Sequence, residues 1–165
     1  ELPAAEIPIR KLTLDGDRWT VRDEGAIPLA KKHQIANFAD FCNECGNCDV
    51  FCPEDGGPYI VKPRFFGSLE LWQRFADHDG FFLDADSPTR RVHARFEGRE
   101  FVLESAGDRL SYAGDGFEIR FDPDDPAATA EGRASAEVDL TYALIIDELR
   151  RAMLAHDAPV TYVNA

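Results

Sequence analysis

Between residues 7 and 30 apolar and polar positions alternate, with Leu12, Leu14, Trp19 and Val21 set among polar neighbours on either side of Asp15-Gly16-Asp17. A period of two interrupted by an Asp-Gly pair predicts a β-hairpin. The alternation breaks down over 38–66, a segment that contains every cysteine of the chain. Beyond it, Leu69-Glu70-Leu71-Trp72-Gln73-Arg74-Phe75 predicts one or two helical turns closed by Gly80. Alternation resumes over 81–122. Val92 to Phe96 and Phe101 to Leu103 flank Glu97-Gly98, and Leu110 to Tyr112 and Phe117 to Phe121 flank Gly114-Asp115-Gly116. This reads as a β-meander with glycine at its turns. Residues 122–135, with Asp122-Pro123-Asp124-Asp125-Pro126 and an Ala/Gly-rich stretch, predict an acidic loop or linker. The period then changes to that of a helix. Over 136–156, Tyr142, Ile145, Ile146, Leu149 and Met153 fall on one face, as core packing requires.

The expected fold is therefore α+β: a cluster-binding loop of ferredoxin type over 38–66, attached to antiparallel hairpins and the 81–122 meander, with a carboxy-terminal helix over 136–156. Residues 1–165 form one domain or a fragment of a larger protein. The chain begins Glu1-Leu2-Pro3 and its only methionine is Met153, which favours the second option.

Composition narrows the function. The formal charge is −13, from 31 acidic and 18 basic residues. Such a surface repels a phosphate backbone or an anionic membrane, so nucleic-acid binding is disfavoured and docking on a basic face is favoured. No apolar run is long enough to cross a bilayer and no signal pattern opens the chain, so a cytoplasmic location is expected. No P-loop, HExxH or Ser/His/Asp arrangement is present, so the chain is not expected to be a complete enzyme by itself.

The candidate chemistry lies in Cys42-Asn-Glu-Cys45-Gly-Asn-Cys48-Asp-Val-Phe-Cys52-Pro53. This is C-x2-C-x2-C-x3-C-P, the run with which bacterial-type ferredoxins ligate a cubane. Two-residue gaps let a tight loop wrap three corners of a compact cube while backbone N–H groups turn towards the sulfides. Gly46 tolerates the dihedrals such a loop needs, and Pro53 turns the chain away after the fourth thiol. Structural zinc fits less well, since it prefers two C-x2–4-C pairs separated by a longer loop. Disulfides among four cysteines of one loop would staple nothing distant. In two-cluster ferredoxins the fourth cysteine of a run ligates the other cluster. Cys52 therefore either closes a lone cubane or faces a second cluster outside these residues, and the second option is slightly favoured.

The stretch Phe41-Cys42-Asn43-Glu44-Cys45-Gly46-Asn47-Cys48, followed by Phe51-Cys52-Pro53, Pro58-Tyr59 and Lys62, resembles the carboxy-terminal iron–sulfur region of the selenate reductase iron–sulfur subunit family. That family looks like a relative of the NADPH-dependent glutamate synthase small subunit. The resemblance spans roughly residues 34–85. It implies that Cys42, Cys45, Cys48 and Cys52 are cluster ligands, in the second of two paired ferredoxin motifs that follow a flavin- and pyridine-nucleotide-binding portion. Residues 1–37 hold no first motif and no Gly-x-Gly-x-x-Gly occurs, so neither flavin nor NADPH binding falls on these residues.

The expected function is electron transfer through a [4Fe–4S] cluster, as a module of a larger multi-subunit or multi-domain oxidoreductase. The expected partners are a flavin/NAD(P)H-type oxidoreductase domain or subunit and a terminal reductase or dehydrogenase subunit. The alternative is an interaction domain held by a structural iron–sulfur or, less well, zinc site. Among smaller features, Phe51 and Tyr59 are expected to shield the cluster. Lys62 and Arg64 are expected to be solvated bases, and His33, His78, His93 and His156 to be structural.

Overall fold

In the computed structural model, residues 5–29, 36–51 and 57–155 are described. Strands β1 (Ala5–Asp15) and β2 (Arg18–Leu29) form a long antiparallel hairpin, turned at Gly16 with φ +59°. Then come β3 (Asn37–Phe38), a 3-10 turn at Ala39–Phe41, and the short helices α1 (Asn47–Phe51) and α2 (Pro58–Val61). Strand β4 (Arg64–Phe66) and helix α3 (Leu69–Arg74) lead into the meander of β5 (Gly80–Asp84), β6 (Arg91–Phe96), β7 (Arg99–Ala106), β8 (Arg109–Gly114) and β9 (Phe117–Phe121). The chain continues through α4 (Pro126–Thr129), β10 (Glu131–Ala134), β11 (Val138–Asp139) and α5 (Leu140–Leu154).

Eight strands make one mixed sheet in the order β10-β9-β8-β7-β6-β5-β4-β3, and β11-β1-β2 make a second. The pairs β3–β4 and β4–β5 are parallel and the others antiparallel. Parallel neighbours cannot be joined by a tight turn and need a crossover. The cysteine segment is the β3–β4 crossover, and α3 lies in the next one.

The core follows the period of two. Phe101 and Leu103 of β7, Leu110 and Tyr112 of β8, and Ile119 and Phe121 of β9 are buried. Leu140, Ala143, Ile146 and Met153 of α5 belong to the same buried cluster, together with Leu12 from the hairpin. The tight turn between β6 and β7 has positive φ at both Glu97 (+51°) and Gly98 (+71°). This matches the right-handed twist of the flanking strands. Asp79 fixes the non-glycine residue there, accepting from the Glu97 N–H at 2.6 Å and the Gly98 N–H at 3.1 Å.

Two stretches differ from the sequence expectation. Residues 122–135 are not a free linker. The Asp125 side chain accepts from the Ala128 N–H (3.3 Å) and caps α4, and β10 then pairs along β9. Gly132 makes this possible, because a Cβ there would sit 2.2 Å from the Glu118 carbonyl oxygen. The carboxy-terminal helix starts at Leu140 rather than 136, since Val138 and Asp139 pair with Leu12 and Lys11 of β1. Asp139 caps it, accepting from the Thr141 N–H at 2.9 Å, while Lys11 Nζ donates to the other carboxylate oxygen at 2.5 Å. Burial pushes the Asp139 carboxyl up, but Thr141 and the Lys11 ammonium outweigh it and hold the group below its ordinary value.

The Tyr112 hydroxyl is buried without a hydrogen-bond partner, and burial pushes its pKa well up. Its ring packs on Phe101 (5.6 Å) and Phe117 (4.9 Å), contacts that a phenylalanine retains. Tyr112→Phe is therefore expected to raise stability by about 1 kcal/mol, because it removes an unpaired buried donor. Urea denaturation of the two proteins checks this; a loss of stability would show that the hydroxyl is satisfied.

Candidate metal centre

Both ends of the cysteine segment are held side by side. Asn37 and Phe38 pair in parallel with Arg64 and Phe65, and the Asn37 N–H donates to the Pro63 carbonyl at 2.8 Å. Within the loop, the Cys42 N–H donates to the Ala39 carbonyl (3.1 Å) and the Cys45 N–H to Asn43 Oδ1 (3.3 Å). The Gly67 N–H donates to Asp40 Oδ1 (3.0 Å), tying the start of the loop to the end of β4. Glu44 and Gly46, on either side of Cys45, both have left-handed backbone, φ +53° and +77°. For a glutamate this is uncommon and needs support from its surroundings.

That support is an ion pair. Arg64 Nη1 lies 3.0 Å from Glu44 Oε1, and Nη2 donates to the Tyr59 carbonyl at 2.6 Å. Arg64 is largely buried and so is not the solvated base expected from sequence. It joins the loop, α2 and β4. Tyr59 in turn donates to Asp49 Oδ2 at 3.2 Å. This hydrogen bond and the nearby carboxylates hold the phenol above its ordinary pKa. Gly57 is packed into the same contact, where a Cβ would sit 2.1 Å from Asp49 Oδ1. Asp49, Tyr59 and Arg64 thus brace the loop, a role that sequence spacing alone does not reveal.

Cys42 and Cys48 are half-buried, Cys45 is exposed, and all three are free thiols. Cys52 lies outside the described residues. Among the described residues no three His, Cys, Asp or Glu side chains are gathered closely enough to hold a metal ion. The donor set itself, soft sulfur on a short exposed loop, suits iron–sulfur ligation.

Phe51 does not cover the loop, being 85% exposed; Phe41 (76%) and Val50 (77%) are also open to solvent. His93 is half-buried, 5.6 Å from the Trp72 ring and 6.1 Å from Phe82. Burial lowers its pKa, and the Arg91 guanidinium adds to this. His78 meets Phe75 edge-on at 5.8 Å. His33 and His156 lie outside the described residues.

Comparison with known proteins places part of this chain beside an oxidoreductase. A stretch of 79 residues, 47% of the chain, is 32% identical to the protein named "Putative oxidoreductase YgfK" of Escherichia coli strain K12. The counterpart in Escherichia coli O157:H7 matches equally. The match covers 7% of each of those proteins, so the chain spans a small part of the length of the curated relatives it matches. No family model matches the chain, and no solved structure matches it. No helix among the described residues is long and apolar enough to cross a membrane.

Proposed function

We propose that the chain is an electron-transfer module of a larger oxidoreductase, with Cys42, Cys45, Cys48 and Cys52 as iron–sulfur ligands: the first three on one [4Fe–4S] cluster, and Cys52 either closing that cluster or, as is slightly favoured, ligating a second one. The observation that carries this reading is the C-x2-C-x2-C-x3-C-P run. Free thiols, left-handed backbone at Glu44 and Gly46, and similarity to part of an oxidoreductase support it. When bound, the cluster supplies one-electron exchange. The protein's part is to ligate and orient. Arg64 holds the loop to β4 through Glu44, and Tyr59 holds α2 to α1 through Asp49. The partners on this reading are a flavin/NAD(P)H-type donor domain and a terminal reductase or dehydrogenase subunit, with the acidic surface suited to a basic docking face.

Anaerobically purified or reconstituted protein is expected to contain about four irons and four sulfides per chain and to yield a paramagnetic state on dithionite reduction. Elemental analysis and electron paramagnetic resonance check both. Stoichiometric zinc without sulfide would end the reading. Bound iron that folding requires but dithionite cannot reduce would replace it with a structural cluster.

A further inference from the structure

The large apolar side chains left exposed in this protein are not scattered. Of seven among the described residues, five lie in the cysteine segment: Phe41, Val50, Phe51, Ile60 (65%) and Val61 (47%). Single exposed apolar residues are ordinary on a protein surface, whereas a group of them marks an interaction site. Four of the five stand on two joined elements. Val50 and Phe51 end α1, Ile60 and Val61 end α2, and the two helices are tied by the 3.2 Å bond from Tyr59 to Asp49. Ile60 and Val61 also line a cavity of about 870 Å³, whose other walls include Ile27 and Leu29 of the hairpin and Ile145 and Leu149 of α5. A pocket for a small molecule encloses most of its ligand. Here Val50 and Phe51 lie outside the cavity lining, so the apolar surface extends beyond the reach of a small ligand and suits a macromolecule.

The charges at its border select the kind of macromolecule. Asp49, Asp77 and Asp79 are exposed acids whose charge no base matches. Asp49 accepts from the Tyr59 phenol and Asp79 from two backbone N–H groups, while Asp77 has no partner among the described residues. The bases of the cavity lining are already engaged: Arg64 faces Glu44, Arg95 is bonded to Glu100, and Lys62 has a partner as well. His78 Nε2 lies 3.8 Å from Glu44 Oε1, so a proton on it is met by that carboxylate. Glu148 is matched by Arg151 at 2.8 Å. The uncompensated charge is therefore negative. A second copy of this chain would bring a further formal charge of −13 to the contact, and a nucleic acid or an anionic membrane would bring phosphates. A protein face with an apolar centre and lysine or arginine at its border answers both features.

We propose that the face formed by Val50, Phe51, Ile60 and Val61, continued by the adjoining cavity, docks a basic amphipathic segment of a protein partner. The apolar side chains of that segment seat between α2, the hairpin and α5, and its cations stand opposite Asp49, Asp77 and Asp79. This is the mode in which an amphipathic helix lies in an apolar groove. The docking itself stands apart from the cluster reading. On the function proposed above it brings the partner beside the cysteine loop, since Asp49 and Val50 directly follow Cys48.

The test is a titration of a dye-labelled synthetic amphipathic helix, leucine on one face and lysine on the other, with the full 165-residue chain. Fluorescence anisotropy at about 0.15 M salt follows it, and iron and sulfide are counted on the same sample. Saturable binding is expected. Peptides with glutamate in place of lysine, or serine in place of leucine, are each expected to bind at least tenfold more weakly. Phe51→Ser and Ile60→Ser, at exposed positions where folding is not at stake, are each expected to weaken binding of the parent peptide about tenfold or more. Absence of saturable binding, equal affinity for either control peptide, or unchanged affinity in both variants overturns the proposal. So does a dimer that Phe51→Ser dissociates, which gives the face to a second copy, or a chain ending at Ala155 that binds tenfold more tightly, which gives it to residues 156–165. Binding to a sample without iron would retain the docking face and remove the cluster, and iron without binding would do the reverse.

Discussion

Replacing Arg95 by methionine is expected to destabilise the protein by about 3–5 kcal/mol, the scale set by stranding several buried acceptors at once. Arg95 is 2% exposed, the least accessible charged side chain among the described residues. Its guanidinium donates to the carbonyls of Trp72 (3.4 Å), Phe75 (3.2 Å) and His78 (2.9 Å), and to Glu100 at 2.7 Å. The first two of these carbonyls lie at the end of α3, where a helix has no N–H donors of its own left to satisfy its last carbonyls. The guanidinium also stacks 4.2 Å over the Trp72 ring. Methionine keeps most of the apolar stem and supplies none of the donors. For a domain of this size the loss corresponds to a fall in melting temperature on the order of 10 °C. Arg95→Lys is expected to fall between, since one ammonium cannot reach three carbonyls and a carboxylate. Glu100→Gln, at an exposed acid, is expected to change stability by less than about 1 kcal/mol. Thermal and urea unfolding of the three variants would distinguish them, and a methionine variant as stable as its parent would contradict the role given to Arg95.

Serine substitutions in the cysteine run are expected to have unequal effects. Cys42, Cys45 and Cys48 share the tight loop, and changing any of them is expected to reduce iron from about four per chain to less than one. Cys52 stands one residue further along, and in a two-run arrangement it faces another cluster. Cys52→Ser is then expected to leave iron content nearly unchanged. Iron and sulfide counts on the four variants decide the matter: four equal losses would show that Cys52 closes the same cubane. The sheet does not depend on the thiols, so unfolding of the cluster-free variants is expected to differ from that of the cluster-free parent by less than about 1 kcal/mol.

The parts of this fold readable from sequence are those written in local periodicity. Leu12, Leu14, Trp19 and Val21 mark the hairpin, and Glu97-Gly98 marks the turn between β6 and β7, because alternation and turn chemistry act between near neighbours. Tyr142, Ile146, Leu149 and Met153 mark the helix for the same reason. The residues just before it escape that local pattern, because Val138 and Asp139 are claimed by β1, a partner far away in sequence. The pairing of β10 with β9 was likewise hidden: Glu131-Gly132-Arg133-Ala134 carries no strand pattern, and only contact with the Glu118 backbone explains the glycine. At the candidate metal centre the four thiols announce themselves by spacing. Arg64 does not, since nothing in Arg64-Phe65-Phe66 distinguishes a buried brace from a surface base until Glu44 is placed beside it.

The pairing of β3 with β4 has a consequence for the order in which the protein is put together. A flexible loop must normally give up entropy when its ends are brought together. Here the ends are already joined by Asn37 and Phe38 against Arg64 and Phe65, whatever happens between them. On the function proposed above, a group held by the loop is therefore expected to bind to a scaffold whose strands are already paired, and its loss to leave that pairing in place.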